Sequence, residues 1–180
     1  LILANAAKTL GRHGVLKAAI DRLREQLGDV PDVMQLYLHH IRMQNDRAAA
    51  VSITATVTRA QLGDPTHALV AFCDFLVARH AWAELARIVA LYEAEPEGEL
   101  PAPLYGARAL VRLRRRDYDR AIEDARIGVS RASADQRLNA RMMFARIAHV
   151  GGDIETACEN YRASLPRLRV PPSRGYRAAK

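Results

Sequence analysis

Residues 116–130 read RDYDRAIEDARIGVS, and residues 152–166 read GDIETACENYRASLP. The two stretches align without a gap at a separation of 36 residues, with a large apolar residue in third place (Tyr118, Ile154) and alanine in sixth (Ala121, Ala157). Apolar residues spaced three and four apart share one face of an α-helix. Both stretches are therefore predicted to be amphipathic helices that bury this face.

The same pattern occurs upstream, in GVLKAAIDRLREQLG from residue 14 and HAWAELARIVALYEA from residue 80. The four starts are separated by 66, 36 and 36 residues, and because 66 is twice 33, a further unit is predicted near residues 46–63. A second amphipathic stretch precedes each of them, and Gly- or Pro-containing turns separate the stretches. The sequence thus predicts about five helix pairs, in units 1–30, 31–64, 65–100, 101–136 and 137–165.

The second unit contains RAAAVSITATVTRAQLG, at residues 47–63, whose alternation of Val51, Ile53 and Val57 could indicate a strand. A helix fits as well, with Ala50, Ile53, Val57 and Ala60 on one face. A lone strand in a helical array would leave its backbone groups without partners. We therefore predict a helix here.

A helix pair that recurs every 33 to 36 residues resembles the tetratricopeptide repeat family. The small residue that the family has in its first helix matches Ala7, Cys73, Ala109 and Ala145. The alanine of its second helix matches Ala19, Ala121 and Ala157, and Pro31 matches its closing proline. Arg108 and Arg112 depart from the family, which has large apolar residues there. The resemblance implies an all-α fold, a right-handed α/α superhelix.

In such a superhelix the first helix of each pair lines a concave groove that binds a protein or peptide. The resemblance implies a scaffold without catalytic activity. The predicted partner-binding residues are Asn5, Lys8, Arg12, Tyr37, Asp74, Asn139, Met142, Arg146 and His149, with Ile41, Val70 and Met143 beside them. Basic ends and an apolar middle favour an extended or helical peptide with acidic flanks.

The composition narrows the class of partner. The formal net charge is +7, and the strongest basic run is Arg112 with residues 114–116. Acidic residues follow this run closely, and no aromatic residues alternate with it as single-strand binders require, so nucleic-acid binding is not favoured. No apolar run approaches the roughly 20 residues of a membrane span.

No sequence motif indicates catalysis, a cofactor or a metal. His39 and His40 are adjacent, so on a helix they point about 100° apart and do not share an ion easily. The acidic run of Glu93, Glu95, Glu97 and Glu99 is interpreted as a solvated loop. Cys73 and Cys158 form no metal-binding pattern and are interpreted as buried thiols. We accordingly predict no catalytic, cofactor or metal site.

Two alternatives remain open. The chain begins at Leu1 without an initiator methionine, and residues 166–180 combine three prolines with five basic residues. We interpret these features as those of a segment with a basic linker, which would also suit a helical accessory domain of a larger bacterial enzyme, such as a glycosyltransferase or sulfotransferase. Direct nucleic-acid binding is the less favoured alternative. Self-association through an exposed terminal helix face is also open, as is the compartment.

Overall fold

The computed structural model describes residues 2–94, 100–134 and 136–165, and in these ranges the chain is all-helical without a strand. The helices follow one another in pairs. The first pair is α1 (Ile2–Thr9) and α2 (His13–Leu27), and the second is α3 (Pro31–Gln44) with α4 (Arg47–Thr56) and a short α5 (Arg59–Leu62). The other pairs are α6 (His67–Ala78) and α7 (Trp82–Glu93), α8 (Ala102–Arg114) and α9 (Tyr118–Arg131), and α10 (Arg137–Gly151) and α11 (Ile154–Ser164). The prediction of an all-α chain is confirmed.

The turn inside each pair is the most regular feature of the fold. It is centred on a residue with positive φ, and these turn residues are Gly11, Asn45, His80, Arg116 and Gly152. In every case the amide of the turn residue donates to the carbonyl three residues before it. The next amide donates to the carbonyl five residues before it. This double hydrogen bond is the Schellman ending of a helix, which satisfies otherwise unpaired carbonyls.

The spacing of the turn residues corrects the sequence alignment of the first pair. Consecutive turn residues are 34, 35, 36 and 36 positions apart. The residue five positions after the turn is buried in every pair, and in the first pair this residue is Leu16 and not Ala19. Likewise Ala4, not Ala7, is the equivalent of Cys73, Ala109 and Ala145. The first unit was therefore aligned three residues out of register.

The second pair is helical where a strand was the alternative, but its second helix is broken. Helix α4 ends at Thr56, and Val57 is extended. Thr58 then starts α5 through a capping box with Gln61. β-Branched residues are weak helix formers, and the Thr58 hydroxyl offers a new helix start, so the break falls at this point. The predicted helical face is accordingly interrupted, and Ala60 is exposed.

Helices pack both within pairs and between neighbouring pairs. Helices α3, α6, α8 and α10, the first helices of successive pairs, contact one another in that order, and each also contacts its own second helix. The largest apolar core lies between the second, third and fourth pairs and includes Phe72, Leu85 and Tyr92. A smaller, alanine-rich core joins the fourth and fifth pairs, and another small core joins the first pair to Leu36 of α3.

A buried carboxylate supplements the apolar packing between α8 and α9. Asp124 is only 1% exposed and accepts two hydrogen bonds from Arg108, at 2.9 Å from Nε and 2.6 Å from Nη2. Arg112 Nη1 lies 2.7 Å from the same carboxylate, and Arg108 Nη1 also donates to Glu93 of α7 at 2.9 Å. Both arginines that depart from the family pattern thus join the two helices of the fourth pair, and Arg108 also connects this pair to the third.

Further arginines stack on tyrosine rings between helices. The Arg24 guanidinium carbon of α2 lies 4.7 Å from the ring centre of Tyr37 in α3, and that of Arg59 lies 4.2 Å from the ring centre of Tyr92 in α7. Arg24 also forms a bidentate pair with Asp29. Each of the two arginine–tyrosine stacking contacts joins one helix pair to the next. Part of the arginine excess is therefore used inside the fold.

Three predictions of burial were wrong in part. Tyr118 and Ile154 are 38% and 54% exposed, because the position two residues after the turn faces outward at this end of the chain. Cys158 is also exposed, since it follows the buried Ala157 and points about 100° away from it. The interpretation of residues 166–180 as a linker, and that of Glu95, Glu97 and Glu99 as a loop, lie outside the described residues.

We predict that Asp124→Ala lowers the free energy of unfolding by about 3 kcal/mol, because it leaves Arg108 and Arg112 without their buried partner. Urea denaturation followed by circular dichroism measures this loss. Asp119→Ala, an exposed position on the same helix, is the matched control and changes the value by less than about 1 kcal/mol. Equal losses in the two variants would contradict a structural role for the buried ion pairs.

Candidate functional site

Two adjoining cavities lie along the first helices of successive pairs, and together they are called the groove. The amino-terminal cavity, about 590 Å³ in volume, is lined by α1, α3 and the start of α6. The central cavity, about 390 Å³, is lined mainly by α6, α8 and α10. Thr66, His67 and Ala71 line both cavities, so the two meet at the amino-terminal half of α6.

The Schellman turns determine which side chains reach the groove. In the first three pairs, the residues six and three positions before the turn residue line it: Asn5 and Lys8, His39 and Arg42, Asp74 and Val77. Positions three apart lie on one helix face, and the common turn gives all three helices the same rotation. The groove therefore presents one pair of side chains from each of these helices.

The amino-terminal cavity is polar and carries a positive charge. Lys8 and Arg42 lie on its walls with Asp32, Gln35 and His39. With two cations and one acid, the cavity favours an anionic group. Gln35 is held in place, since its Nε2 donates to the carbonyl of Leu62 at 2.8 Å and its Oε1 accepts from Thr66.

His39 is neutral at physiological pH. Burial, followed by the positive charges of Lys8, Arg42, His13 and His40, lowers the pKa of His39 from 6.5 to about 4. Burial also lowers the pKa of His40. Neither imidazole therefore adds to the positive charge of the cavity near pH 7.

The central cavity has large apolar walls, with the carboxylate of Asp74 among its few polar side chains. Its walls include Val70, Val77, Leu110 and Met143, and neither lysine nor arginine occurs among the described residues of the lining. Gly106 faces the same space, since a Cβ atom on it would meet only Met143 Cγ, at 3.8 Å.

Of the described residues that line the central cavity, Asp74 of α6 is the only acid. It remains reachable by solvent, and burial among the apolar walls raises its pKa. Among the described residues its carboxylate has neither an ion pair nor a side-chain hydrogen bond, although His67 and Arg42 oppose the rise in pKa through their charge. A nearby cation stabilises the charged form of a carboxylate in such surroundings.

Some of the predicted partner-binding residues line one of the two cavities, and the others line neither. Asn5 and Lys8 meet in the amino-terminal cavity, and Asp74 and Asn139 meet in the central cavity, beside Val70 and Met143. The other predicted residues line neither cavity: Arg12, Tyr37, Met142, Arg146 and His149.

Tyr37 and Ile41 were assigned to the groove from the wrong register. They stand eight and four positions before Asn45, so Tyr37 packs under Arg24 and Ile41 is only 1% exposed. His39 and Arg42, which sequence reasoning did not assign to the groove, occupy their place. A shift of 34 residues from Asn5 and Lys8 leads to these two positions and could have identified them.

No group of three or more His, Cys, Asp or Glu residues in the described ranges is arranged to hold a metal ion. Within the same ranges no helix combines the length and the hydrophobicity that a bilayer span requires. Cys73, at the wall of the central cavity, is buried, and this burial raises the pKa of its thiol to about 12. It is present as an unreactive thiol at physiological pH.

Comparisons of the chain with protein-family models, curated proteins and solved structures found no significant match.

We predict that the stability of the protein falls as the pH is lowered from about 6.5 to about 4, and that His39→Gln reduces this fall. The unfolded chain binds a proton at His39 in this range while the folded chain does not, so protonation favours unfolding. Urea denaturation at several pH values measures the effect.

The matched control is His149→Gln, which alters an exposed histidine of α10. This variant is expected to keep the pH dependence of the wild type. If His39→Gln keeps it as well, the pKa of His39 is not the cause of the fall.

Proposed function

We propose that the chain is a non-catalytic scaffold of tetratricopeptide type that binds a peptide segment of a partner protein in the groove. In this proposal the five pairs form a right-handed α/α superhelix, and the groove is its concave face. The single observation that carries the proposal is the pair of adjoining cavities along the first helices. It is supported by the Schellman turns, which recur every 34 to 36 residues and align the side chains of successive helices.

The dimensions of the groove favour a peptide over a small metabolite. Neighbouring helix axes lie about 8–10 Å apart, so a groove across α1, α3, α6, α8 and α10 is about 40 Å long. An extended peptide covers this distance with about twelve residues at roughly 3.3 Å per residue. Each cavity would then accommodate a few side chains, which is how helical repeat arrays recognise extended segments.

The arginine-rich character of the chain gives less support to nucleic-acid binding. Arg108 and Arg112 are committed to Asp124, and Arg24 and Arg59 stack on tyrosines. The exposed Arg114, Arg115 and Arg116 lie at the α8–α9 turn and line neither cavity. A protein or peptide ligand therefore agrees better with the distribution of charge.

We predict that peptides selected by the full chain from a random phage-displayed library lose at least about tenfold in affinity when Ala71 is replaced by tryptophan. Ala71 lines both cavities, so a large ring would occupy their junction. Ala90→Trp, at an exposed position of α7, is the matched control and should leave binding unchanged. Fluorescence anisotropy with synthetic peptides measures the affinities, and circular dichroism verifies that each variant is folded.

A second pair of variants covers the case in which Ala71→Trp does not fold. Lys8→Glu reverses a charge in the amino-terminal cavity, and Arg22→Glu reverses one on the exposed side of α2. The proposal requires only the first to weaken binding. Selected peptides that bind all these variants like the wild type would show that the groove is not the binding site, and a library without any binder would contradict the scaffold function.

A further inference from the structure

The two cavities carry opposite charges, although the whole chain is strongly basic with a net charge of +7. Lys8 and Arg42 give the amino-terminal cavity its positive charge. Among the described residues that line the central cavity, Asp74 is the only acid and is accompanied by no lysine or arginine, while Val70, Val77 and their neighbours on α8 and α10 form much of the wall. A ligand that lies across both cavities therefore meets a cationic region first and an anionic one next.

Asp74 stands at a position that other pairs fill differently. The residue six places before the turn is Asn5, His39, Asp74, Leu110 and Arg146 in the five pairs. Only the third pair has an acid there, and this exposed acid stands at the wall of the central cavity without an ion pair or a side-chain hydrogen bond among the described residues. No such contact within the described part of the fold accounts for the carboxylate.

We propose that Asp74 is the receptor for a basic side chain, arginine or lysine, of the bound peptide, and that apolar residues flank this base. This inference rests on the proposed peptide-binding function and adds the chemical class of the ligand. The cation would contact the carboxylate, while the flanking apolar side chains pack against the walls of the central cavity. The ligand would thus contact both the carboxylate and the apolar walls of the central cavity.

The distance between the positive and negative regions of the groove also sets the distance between the charged residues of the ligand. Arg42 and Asp74 lie on adjacent first helices, α3 and α6, whose axes are about 8–10 Å apart. Extended peptides advance roughly 3.3 Å per residue. A peptide that places an acidic side chain at Lys8 and Arg42 therefore carries its base about three residues away. The recognised segment is zwitterionic, with an acid and a base separated by apolar residues.

The experiment selects peptides from a random phage-displayed library on the wild-type chain, on Asp74→Asn and on Asp74→Lys. The wild type is expected to enrich arginine or lysine about three residues from an acid, Asp74→Asn to lose this enrichment, and Asp74→Lys to enrich an acid in its place. Replacing the arginine of a selected synthetic peptide by citrulline, which is neutral and of similar shape, should weaken binding to the wild type about tenfold. The same replacement should not affect binding to Asp74→Asn.

Asp119→Asn, on the exposed face of α9, is the matched control and should select the wild-type consensus. Two failures can be distinguished. If Ala71→Trp abolishes peptide binding but replacing arginine by citrulline does not weaken it, the recognition of a base is wrong and the groove function stands. If no selected peptide depends on Ala71, both the inference and the proposed function are wrong.

Discussion

The fold depends on the burial of each helix pair against its neighbour. A pair of short helices cannot enclose its own apolar face, so neighbouring pairs pack on one another: α3, α6, α8 and α10 contact one another in sequence, and the first pair contacts α3 mainly through α2. The Schellman turns set the rotation of these helices, because they end each one at the same point of the repeat. Packing and turn together bring equivalent positions to one side, and the groove is the result.

Stabilising contacts are distributed unevenly along the series of helix pairs. The central pairs share the core with Phe72, Tyr92 and Leu104, while the first pair is held by a few alanine, leucine and isoleucine side chains around Leu16. Within the fourth pair, Asp124 and its two arginines supplement apolar contacts, and Arg108 also reaches Glu93 of the third pair. The central cavity is lined by α6 and α8 of the largest core and by α10 of the smaller one, and this packed support suits a site that must hold its shape.

The helical class and the approximate helix positions could be predicted, because apolar residues recur at helical spacing around Ala121 and Ala157. The register of the first two pairs could not. Leu16 is the true equivalent of Leu85, but the gapless alignment is shifted by three residues and does not match them. The break after Thr56 obscures the pattern of the second pair. Asn5 and Lys8 could be found despite the three-residue error because groove positions on a helix lie three apart, and Asp74 could be found from the correct register of the third pair, whereas His39 and Arg42 of the second pair were missed. The pairing of Asp124 with Arg108 depends on tertiary contacts between helices that local sequence patterns do not reveal.

The central claim is that stability arises between neighbouring pairs and is therefore graded along the chain. Amide hydrogen exchange of the full chain, read by mass spectrometry, tests it most directly. The account predicts the slowest exchange in α6, α7 and α8 and progressively faster exchange toward α1 and α2, with α10 and α11 in between. A single common exchange rate for all the helices, as expected for one indivisible core, would contradict it.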